Sequence, residues 1–261
     1  MFTPKTPKIA GIAAGNPKVD EQLVKVFTGN TYMYIDYANV RPWSEKLGWH
    51  INIKRLKQFL DSFSSIQDIK FYCGTLEGDK KSEEDVQNAQ NIGYTVRTKP
   101  VKIMRLSINA SSLAGMADTS LLERFVRRSL LRQWTGEVVE YLNRQFVSLN
   151  KLGTVFIEDR KCNFDVEIGT DMLLDAQKHQ VDTCVLWSGD SDFHDSLQQL
   201  LTQGKKVILF ATARRIAKEL NDLSAAGLYI YDIQKIRDFI CWNREISPLA
   251  KGRTLEGPPK L

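Results

Sequence analysis

The sequence predicts a three-layer α/β fold, in which helices cover both faces of a central, mainly parallel sheet and a helical insertion interrupts the chain. Two observations predict the sheet. The final third of the chain alternates short apolar strands with amphipathic helices, and the first part shows the same alternation. Such alternation is typical of right-handed βαβ crossovers. A third observation predicts the insertion, because residues 107–152 depart from the alternation and have helical spacing.

The first part of the sheet is predicted from strands and helices before residue 107. Residues 32–36 (YMYID) form a short apolar strand that ends in an acid, and residues 68–75 alternate as a second strand does. Between them, residues 53–63 place their apolar side chains on one helical face. Residues 82–92 are predicted to form a second helix, and residues 94–106 are predicted to be extended.

The middle of the chain is predicted to be a helical insertion over about residues 107–152. After a loop of small residues, the spacing of residues 121–146 predicts one or two helices. Four arginines lie beside Leu, Phe, Val and Trp side chains there, namely Arg124, Arg127, Arg128 and Arg132. They form either the solvated side of an amphipathic helix or a substrate-binding surface that contacts phosphates and bases.

The last part of the sheet has the clearest pattern. Residues 154–158 return to an extended pattern, and three further strands are predicted at residues 184–187, 207–210 and 228–231. The segments after these strands have helical spacing and are predicted to end near residues 201, 223 and 239. This order of elements predicts parallel neighbours in one sheet.

Composition predicts one domain with two irregular ends. Residues 29–246 are predicted to form a single domain, whereas residues 1–28 and 247–261 are rich in Pro, Gly and Lys and are predicted to be a flexible arm and a disordered tail. No apolar run reaches the length of about 18 residues that spans a membrane. The N-terminal stretch also lacks the apolar core of a secretory signal. We therefore expect a cytoplasmic protein with no membrane partner.

Charge and cysteine content exclude some classes of site. The 261 residues include 36 Lys and Arg against 31 Asp and Glu, which gives a net charge of +5. This mild excess is compatible with a nucleic-acid partner without requiring one. None of the four cysteines has CxxC spacing, so the sequence indicates neither a zinc site nor a redox pair.

Acidic and amide side chains follow two predicted strands at the point where each strand ends. Asp36 ends the first strand, and Asn39 follows three residues later. Asp190 and Asp192 follow the strand at residues 184–187, within SGDSDF. In an open parallel sheet, ligands bind beyond the carboxyl ends of the strands, so we expect these side chains to gather there. Alternatively, Asp36 only starts a turn and Asp192 only caps the next helix.

A third acidic element is the segment KCNFDVEIGTDMLLDA at residues 161–176. As a helix, it places Asp165 on the same side as Gly169 and Met172, and this side is otherwise apolar and faces the sheet. Asp165 is therefore expected to point towards the strand ends, with a helix cap as the alternative. Asp171 falls on a separate, polar stripe of the helix, away from the sheet.

The predicted cluster of carboxylates suits a divalent cation. Carboxylates brought close together raise each other's pKa unless a cation neutralises them. Carboxylate and amide oxygens are hard ligands, which Mg²⁺ or Mn²⁺ prefers and Zn²⁺ does not. A water activated by such an ion can attack a phosphodiester bond. The predicted catalytic residues and metal ligands are Asp36, Asp165, Asp190 and Asp192.

Three stretches of the sequence resemble the motifs of NYN domains, the branch of PIN-like nucleases that includes the LabA proteins. They are YIDYANV, KCNFDVEIGTDMLLDA and LWSGDSDFHDSLQQLLTQGKKVILF. The resemblance covers about residues 30–106 and 154–233. It implies a PIN-like, Rossmann-like fold, a divalent metal and ribonuclease activity.

The resemblance also implies roles for single residues. By position, the acids of the motifs are Asp36, Asp165, Asp171, Asp190 and Asp192, and Asn39 and Lys161 match their polar and basic positions. Helical spacing and the resemblance disagree about Asp171, which we therefore treat as a supporting residue together with Asn39 and Lys161.

The function predicted from these observations is metal-dependent hydrolysis of RNA, with single-stranded RNA as partner and a homo-oligomer as a possible assembly. The motifs are equally compatible with single-stranded DNA, and with endonucleolytic or exonucleolytic cleavage. One alternative is a non-catalytic RNA-binding or partner-recruiting module. Another is a haloacid-dehalogenase-like phosphatase, because Asp190 and Asp195 give a GDxxxxD pattern, although Ala38 stands where that class needs a second Asp.

Overall fold

The structure is a computed structural model that describes residues 1–76, 78–212 and 216–241, without the side chains of residues 45, 46, 81 and 159–161. The chain forms two compact units. The sheet unit comprises residues 1–100 and the described residues from 162 onward, and the hairpin unit is Val101–Lys161. Residues 247–261, for which a disordered tail is predicted, lie outside the described residues.

Six parallel strands form the sheet of the sheet unit. In chain order, the strands of both units are β1 (Thr31–Asp36), β2 (Ile66–Thr75), β3 (Thr95–Pro100), β4 (Lys102–Ile108), β5 (Val155–Lys161), β6 (Thr183–Trp187), β7 (Lys206–Ala211) and β8 (Tyr229–Asp232). The sheet has the order β3-β2-β1-β6-β7-β8, and every neighbouring pair is parallel. The predicted α/β fold with a central parallel sheet is confirmed.

The strands β1 and β6 lie side by side in the middle of this sheet. From β1 the chain continues outward through β2 to β3, whereas from β6 it continues in the opposite direction through β7 to β8. Their boundary is therefore a topological switch point, where an open α/β sheet leaves a crevice for ligands beyond the strand ends. Asp36 is the last residue of β1, and Ser188 directly follows β6.

Helices cover the sheet, and the central strands are accordingly apolar. In chain order, the α-helices of the described residues are α1 (Pro7–Gly15), α2 (Pro17–Val26), α3 (Tyr37–Val40), α4 (Ser44–Leu47), α5 (Ile53–Leu60), α6 (Lys80–Ile92), α7 (Arg128–Leu131), α8 (Gly136–Leu152), α9 (Asp165–Lys178), α10 (His194–Thr202), α11 (Lys218–Asp222) and α12 (Arg237–Ile240). Every residue of β6 is buried, as is every residue of β7 after the first. Strands that are covered on both faces have such continuous apolar sequences.

The N-terminal residues differ from the prediction of a flexible arm, which is wrong for most of residues 1–28. They form α1 and α2, whose Ile9 and Leu23 side chains are buried in the main core. The prolines that suggested irregular structure stand instead at the first helical positions, where a missing N–H costs no hydrogen bond. Thr6 caps α1 by accepting a hydrogen bond from the Ile9 N–H.

The hairpin unit combines helices with an antiparallel pair of strands. β4 and β5 pair antiparallel, with Leu106 opposite Ile157. The stretch 94–106, predicted as one extended segment, is divided between β3 and β4, which belong to different sheets. The helices α7 and α8 and a short 3₁₀ helix at Leu122–Arg124 occupy the part predicted to be helical. Ile108, Leu121 and Val139 are among the apolar residues buried in this unit.

No helix in the described part of the chain combines the length and the apolar character that crossing a bilayer requires. The longest of them, α8, has 17 residues and carries several charged side chains.

Candidate metal centre

Three carboxylates meet at the carboxyl end of the sheet. They belong to Asp165, the first residue of α9, and to Asp190 and Asp192 in the segment that follows β6. Each carboxylate has one oxygen that could bind a shared ion, and these three oxygens all lie within 4.8 Å of one another. The structure therefore brings together three of the four acids that were predicted to share a site.

The segment after β6 is shaped by Asp190. This residue caps the 3₁₀ helix Ser191–Phe193, because its Oδ1 accepts a hydrogen bond of 3.2 Å from the Asp192 N–H. The alternative that Asp192 only caps the next helix is not supported, because Asp190 caps the 3₁₀ helix and Phe193 stands at the N-cap position of α10. The fully buried Phe193 holds the segment against the core, and the Asp192 side chain remains exposed.

Asp165 is partly buried, and its environment raises its pKa. Burial raises the pKa of Asp165 to about 6, a hydrogen bond with Asn163 opposes the rise, and the charges of Asp190 and Asp192 add to it. Its Oδ2 is buried and accepts no hydrogen bond from an N–H or O–H group of the described residues. A buried carboxylate oxygen without a donor is costly unless a cation or water satisfies it.

The contact between α9 and α10 fixes the distance between Asp165 and the segment after β6. Gly169, one turn after Asp165, packs against Ser196 so closely that an added Cβ would lie 2.6 Å from the Ser196 Oγ. A residue without a side chain therefore lets the two helices approach each other at this point. The approach brings the N-terminal end of α9 towards Asp190 and Asp192.

Asp171 does not lie on a polar, solvated stripe, and the prediction from helical spacing is wrong for this residue. Its side chain is buried, accepts a hydrogen bond of 2.7 Å from the Tyr72 hydroxyl and forms an ion pair with Arg97. These partners come from β2 and β3, so Asp171 attaches α9 to the sheet rather than joining the three carboxylates. Helical periodicity missed this role because the polar partners stand on distant strands.

Asp175 forms a second attachment of the same kind, one turn further along α9. Its Oδ2 accepts hydrogen bonds from the Tyr34 hydroxyl at 2.9 Å and from the Lys70 Nζ at 2.5 Å. Both Asp175 and Lys70 are largely buried, and paired burial of this kind requires good geometry. The two attachments hold α9 along the sheet and so set the position of Asp165 at its end.

Asp36 lies deeper than the three carboxylates and is not a member of their group. It is only 4% exposed. Its Oδ1 accepts a hydrogen bond from the Asn39 N–H at 3.2 Å, and its Oδ2 accepts one from the Ser188 Oγ at 3.1 Å. Burial raises the pKa of Asp36 to about 6, against these two hydrogen bonds, and the charges of Asp165 and Asp190 raise it further. Its role as a metal ligand stays a prediction.

Asn39 and Ser188 connect the ends of β1 and β6. The Asn39 Oδ1 accepts a hydrogen bond of 3.3 Å from the Gly189 N–H, and the Ser188 Oγ accepts one of 3.3 Å from the Asp190 N–H. Ser188 thereby touches both Asp36 and Asp190. Sequence reasoning missed Ser188, although its place directly after an apolar strand gave the same signal as that of Asp36.

An open cavity of about 750 Å³ lies beside the three carboxylates and is lined by Asp165 and Asp192, among others. Lys99, the next residue that sequence reasoning missed, also lines it. The Lys99 Nζ pairs with Glu167 at 2.7 Å and lies 4.7 Å from the centre of the Phe164 ring. The volume falls within the range of about 300–1,000 Å³ typical of small-molecule sites.

The remaining predicted residues lie in the hairpin unit. Arg124, Arg127, Arg128 and Arg132 are all exposed, and Arg128 pairs with Glu123 at 2.9 Å. Lys161 is the last residue of β5, and its side chain is not among those described. The predicted roles of these five residues in substrate binding or support therefore stay predictions.

The chemistry of the three carboxylates fits a hard divalent cation. The group offers only oxygen ligands, which Mg²⁺ and Mn²⁺ prefer. The Asp165 Oδ2, which is buried without a donor, is the atom that would gain most from a bound cation. The raised pKa of Asp165 has the same origin, because burial and neighbouring negative charge both penalise the carboxylate when no cation is bound.

Comparison with known proteins gives three matches. The family model of the NYN domain matches residues 126–234, a stretch that contains all three carboxylates. The chain is 25% identical over 209 residues to the low amplitude and bright protein LabA of Synechococcus elongatus, a match that covers 80% of this chain and 86% of LabA. A crystal structure of a protein of unknown function from Vibrio parahaemolyticus matches with a TM-score of 0.48 and 18% identity, over 80% of this chain and 94% of that one.

Two of these findings bear on the predicted resemblance. The matched stretch includes α9, β6 and the segment that carries Asp190 and Asp192, which are the elements that build the candidate metal centre. Residues 126–234 of this chain thus match the NYN domain, a nuclease-like family, and the resemblance predicted from the motifs is confirmed.

Proposed function

We propose that the protein is a metal-dependent ribonuclease whose Mg²⁺ or Mn²⁺ is held by Asp165, Asp190 and Asp192. The observation that carries the proposal is the buried Asp165 Oδ2, which lacks a donor and belongs to a group of three carboxylates at the switch point of the sheet. The match of the same stretch to a nuclease-like family supports it.

The three acids would have different roles, according to how exposed their side chains are. A bound divalent cation supplies Lewis-acid activation of water and of the phosphate oxygens. Asp165, which is partly buried and fixed by α9, is suited to hold the cation in place. Asp192 is exposed to solvent, and its carboxylate would accept the proton of the attacking water. Asp190 would bind the cation while its Oδ1 accepts the hydrogen bond from the Asp192 N–H that caps the 3₁₀ helix.

Asp36 would act mainly through its neighbours. Its two oxygens bind the Asn39 N–H and the Ser188 hydroxyl, and Ser188 in turn accepts from the Asp190 N–H. This chain of hydrogen bonds fixes the backbone of the segment after β6, so loss of Asp36 would displace Asp190. A direct contact of Asp36 with the cation, predicted from its motif, is part of the same proposal.

Lys99 would supply positive charge for a phosphate in the cavity. Its ammonium group lies in the same cavity as Asp165 and Asp192 and is paired with Glu167. A phosphate group can compete for this ammonium, because the pair is about one-third exposed and therefore weak. We propose that Lys99 binds the phosphate of a single-stranded RNA, with the exposed arginines of the hairpin unit as further contacts.

The phosphatase alternative requires Asp36 to attack the substrate. This carboxylate is buried, and both of its oxygens accept hydrogen bonds, so it is poorly placed to act as a nucleophile. A non-catalytic RNA-binding module would have no use for three clustered carboxylates, which repel phosphate when no cation is bound. Both considerations favour the nuclease.

Cleavage of labelled single-stranded RNA tests the proposal. We expect the wild type to cleave in Mg²⁺ or Mn²⁺ and not in EDTA. Asp190→Asn should lower the rate by about 10²–10³-fold, the scale on which one charge-stabilising group acts in a prepared site. Asp195→Asn is the matched control, because Asp195 lies five residues along the same segment and is fully exposed. Equal cleavage by the two variants would contradict the proposed centre.

A further inference from the structure

The hairpin unit carries most of the net positive charge of the chain. Residues 101–161 include ten Lys and Arg against six Asp and Glu, which gives +4 of the total of +5. The described part of the chain has four exposed Phe, Tyr or Trp side chains, and three of them, Trp134, Tyr141 and Phe156, belong to this unit. An excess of cations together with exposed aromatic rings is typical of surfaces that bind single-stranded nucleic acid.

The same unit contains an open cavity of about 540 Å³. The cavity lies between the end of β4, the residues before β5 and the last turns of α8. Its wall combines polar and apolar residues, among them Ser107, Asn109, Lys151, Thr154, Ile108 and Val147. No Asp or Glu is among the described residues that line it. The cavity is therefore large enough for a small ligand, and its wall presents no carboxylate to repel an anionic one.

Phe156 lies at the rim of this cavity. In the antiparallel pair of strands it is directly opposite Ser107, which lines the cavity. Residues that are opposite each other in such a pair place their Cβ atoms about 4.5–5.5 Å apart on the same face. The Phe156 side chain is 51% exposed and belongs to neither apolar core of the unit. Its ring is therefore available for a base to stack on.

The polar groups of the cavity are of two kinds. The Asn150 amide is already engaged, because it accepts a hydrogen bond of 2.8 Å from one backbone N–H and donates one of 2.9 Å to a backbone carbonyl, both at or just after the end of β4. These bonds attach α8 to β4 and so set the shape of the cavity. The Ser107 and Thr154 hydroxyls and the Lys151 ammonium group form no hydrogen bond or ion pair with another described residue. They are therefore free to bind a ligand.

The last turn of α8 limits where a phosphate can bind. Its free carbonyl groups carry partial negative charge, which disfavours an anion deep in the cavity. Lys151 belongs to this turn and is exposed, so its ammonium group can hold a phosphate at the mouth of the cavity. The interior is left for an uncharged group that both stacks and forms hydrogen bonds, and a nucleobase has these properties.

From these observations we infer that the cavity binds one nucleotide of a single-stranded RNA. The base stacks on Phe156 and forms hydrogen bonds with the Ser107 and Thr154 hydroxyls. The phosphate pairs with Lys151. The inference rests on the proposed ribonuclease for the kind of nucleic acid, and it adds a binding site in a unit that contains none of the three clustered carboxylates. Binding at this site therefore needs no divalent cation.

Fluorescence anisotropy of the full chain with a labelled single-stranded RNA of about 12 nucleotides tests the inference. The measurement is made in EDTA, so that binding is separated from metal-dependent cleavage. Phe156→Ala should raise the Kd by about tenfold, the scale of one lost base stack, and Phe156→Trp should keep the wild-type Kd. Tyr141→Ala is the matched control, because Tyr141 is a 61% exposed aromatic residue of the same unit that does not line the cavity.

The salt dependence of the same binding tests the role of Lys151. The slope of log Kd against log salt concentration should fall by about 0.7 in Lys151→Gln, because one fewer phosphate of a single strand is neutralised. Lys178→Gln is the matched control, since Lys178 also lies in the last turn of a helix but belongs to the sheet unit. An equal fall in both variants would contradict a specific contact with Lys151.

Three further outcomes would overturn the inference. One is a wild type that does not bind the RNA in EDTA, and another is a Phe156→Ala variant that binds as tightly as the wild type. The third is binding of adenosine monophosphate that depends on Phe156 while RNA binding does not, which would assign the cavity to a free nucleotide. Binding that depends on Phe156 without any cleavage in Mg²⁺ or Mn²⁺ would support the inference and contradict the proposed ribonuclease, so the two failures are distinguishable.

Discussion

At the scale of single residues, two aspartates of the site differ because their hydrogen bonds differ. Asp36 is more deeply buried than Asp165, but both of its oxygens accept hydrogen bonds from the protein. Asp165 has an oxygen that is buried without a donor. The pKa values of both are raised to about 6, mainly by burial. Asp165 is therefore the residue whose environment most needs a cation.

This difference predicts how a divalent cation changes stability. Adding Mn²⁺ or Mg²⁺ should raise the Tm of the wild type, because a ligand that binds only the folded state stabilises it by mass action. Asp165→Asn should remove most of the rise, and Asp195→Asn should keep it. Differential scanning fluorimetry with and without EDTA measures the effect. An undiminished rise in Asp165→Asn would place the cation elsewhere.

The pKa of Asp36 predicts a pH dependence in EDTA. Its value of about 6 lies above the ordinary 3.8, so the folded protein binds this proton more readily than the unfolded chain does. The protonated Asp36 therefore contributes to the free energy of unfolding at about pH 4 and below, and this contribution is lost as the pH rises through about 6. Asp36→Asn, which removes the charge, should raise the Tm at pH 7.5 and have a smaller effect at pH 5. A change in Tm that is the same at both pH values would contradict the buried, charged Asp36.

Sequence alone identified the acids but not their partners. Asp165, Asp190 and Asp192 could be predicted because strand ends and helical spacing place them on one edge of the sheet. Ser188 and Lys99 were missed, since neither belongs to a residue type that stands out in a short motif. Asp171 was misplaced because its burial depends on Tyr72 and Arg97, which come from other elements.

At the scale of elements, the contact between α9 and α10 leaves little room for an added side chain at Gly169. A Gly→Ala change inside a helix usually stabilises by about 0.5–1 kcal/mol. Gly11→Ala in α1 should show this gain, because no atom lies within 4 Å of the added Cβ. Gly169→Ala should gain less or lose stability, because its Cβ would meet the Ser196 Oγ at 2.6 Å. Urea unfolding of the two variants provides the comparison.

A second substitution separates this contact from other effects at Gly169. Ser196→Ala removes the Oγ, so the double variant with Gly169→Ala should recover the stability that the single variant lacks. The RNA cleavage rate should follow the same order, since a displaced α9 moves Asp165 away from Asp190. A double variant no more stable than Gly169→Ala alone would show that the contact does not limit the packing.

The elements themselves were largely predictable where their contacts are local. The helix α5 follows its apolar spacing, with Leu56, Phe59 and Leu60 buried. The N-terminal helices were missed because Pro7 and Pro17 were taken as signs of irregular structure, whereas each stands at the start of a helix. Whether such a short helix forms depends on the core it joins, and its own sequence does not contain that information.

At the scale of the whole molecule, the hairpin unit is inserted into the sheet unit at two neighbouring points. The Lys99 carbonyl oxygen and the Cys162 Sγ, which lie on either side of the insertion, are only 4.0 Å apart. The antiparallel pair β4–β5 could not be foreseen, because its strands are separated by more than forty residues and pair only in the folded chain.

The closeness of these two points predicts that the hairpin unit can be removed. Replacing residues 101–161 with a Gly/Ser linker of about four residues should leave a chain that unfolds cooperatively and is still stabilised by Mn²⁺. Calorimetry with and without Mn²⁺ provides the measurement. A chain without a cooperative transition would show that the sheet unit depends on the insertion.

Anomalous X-ray scattering from a crystal grown with Mn²⁺ would locate a cation at the carboxyl end of the sheet. We expect one anomalous peak between Asp165, Asp190 and Asp192, at a metal–oxygen distance of about 2.0–2.2 Å from the Asp165 carboxylate. A well-ordered site with no peak there, or Mn²⁺ bound only at acids elsewhere on the surface, would rule out this metal centre and with it the proposed nuclease.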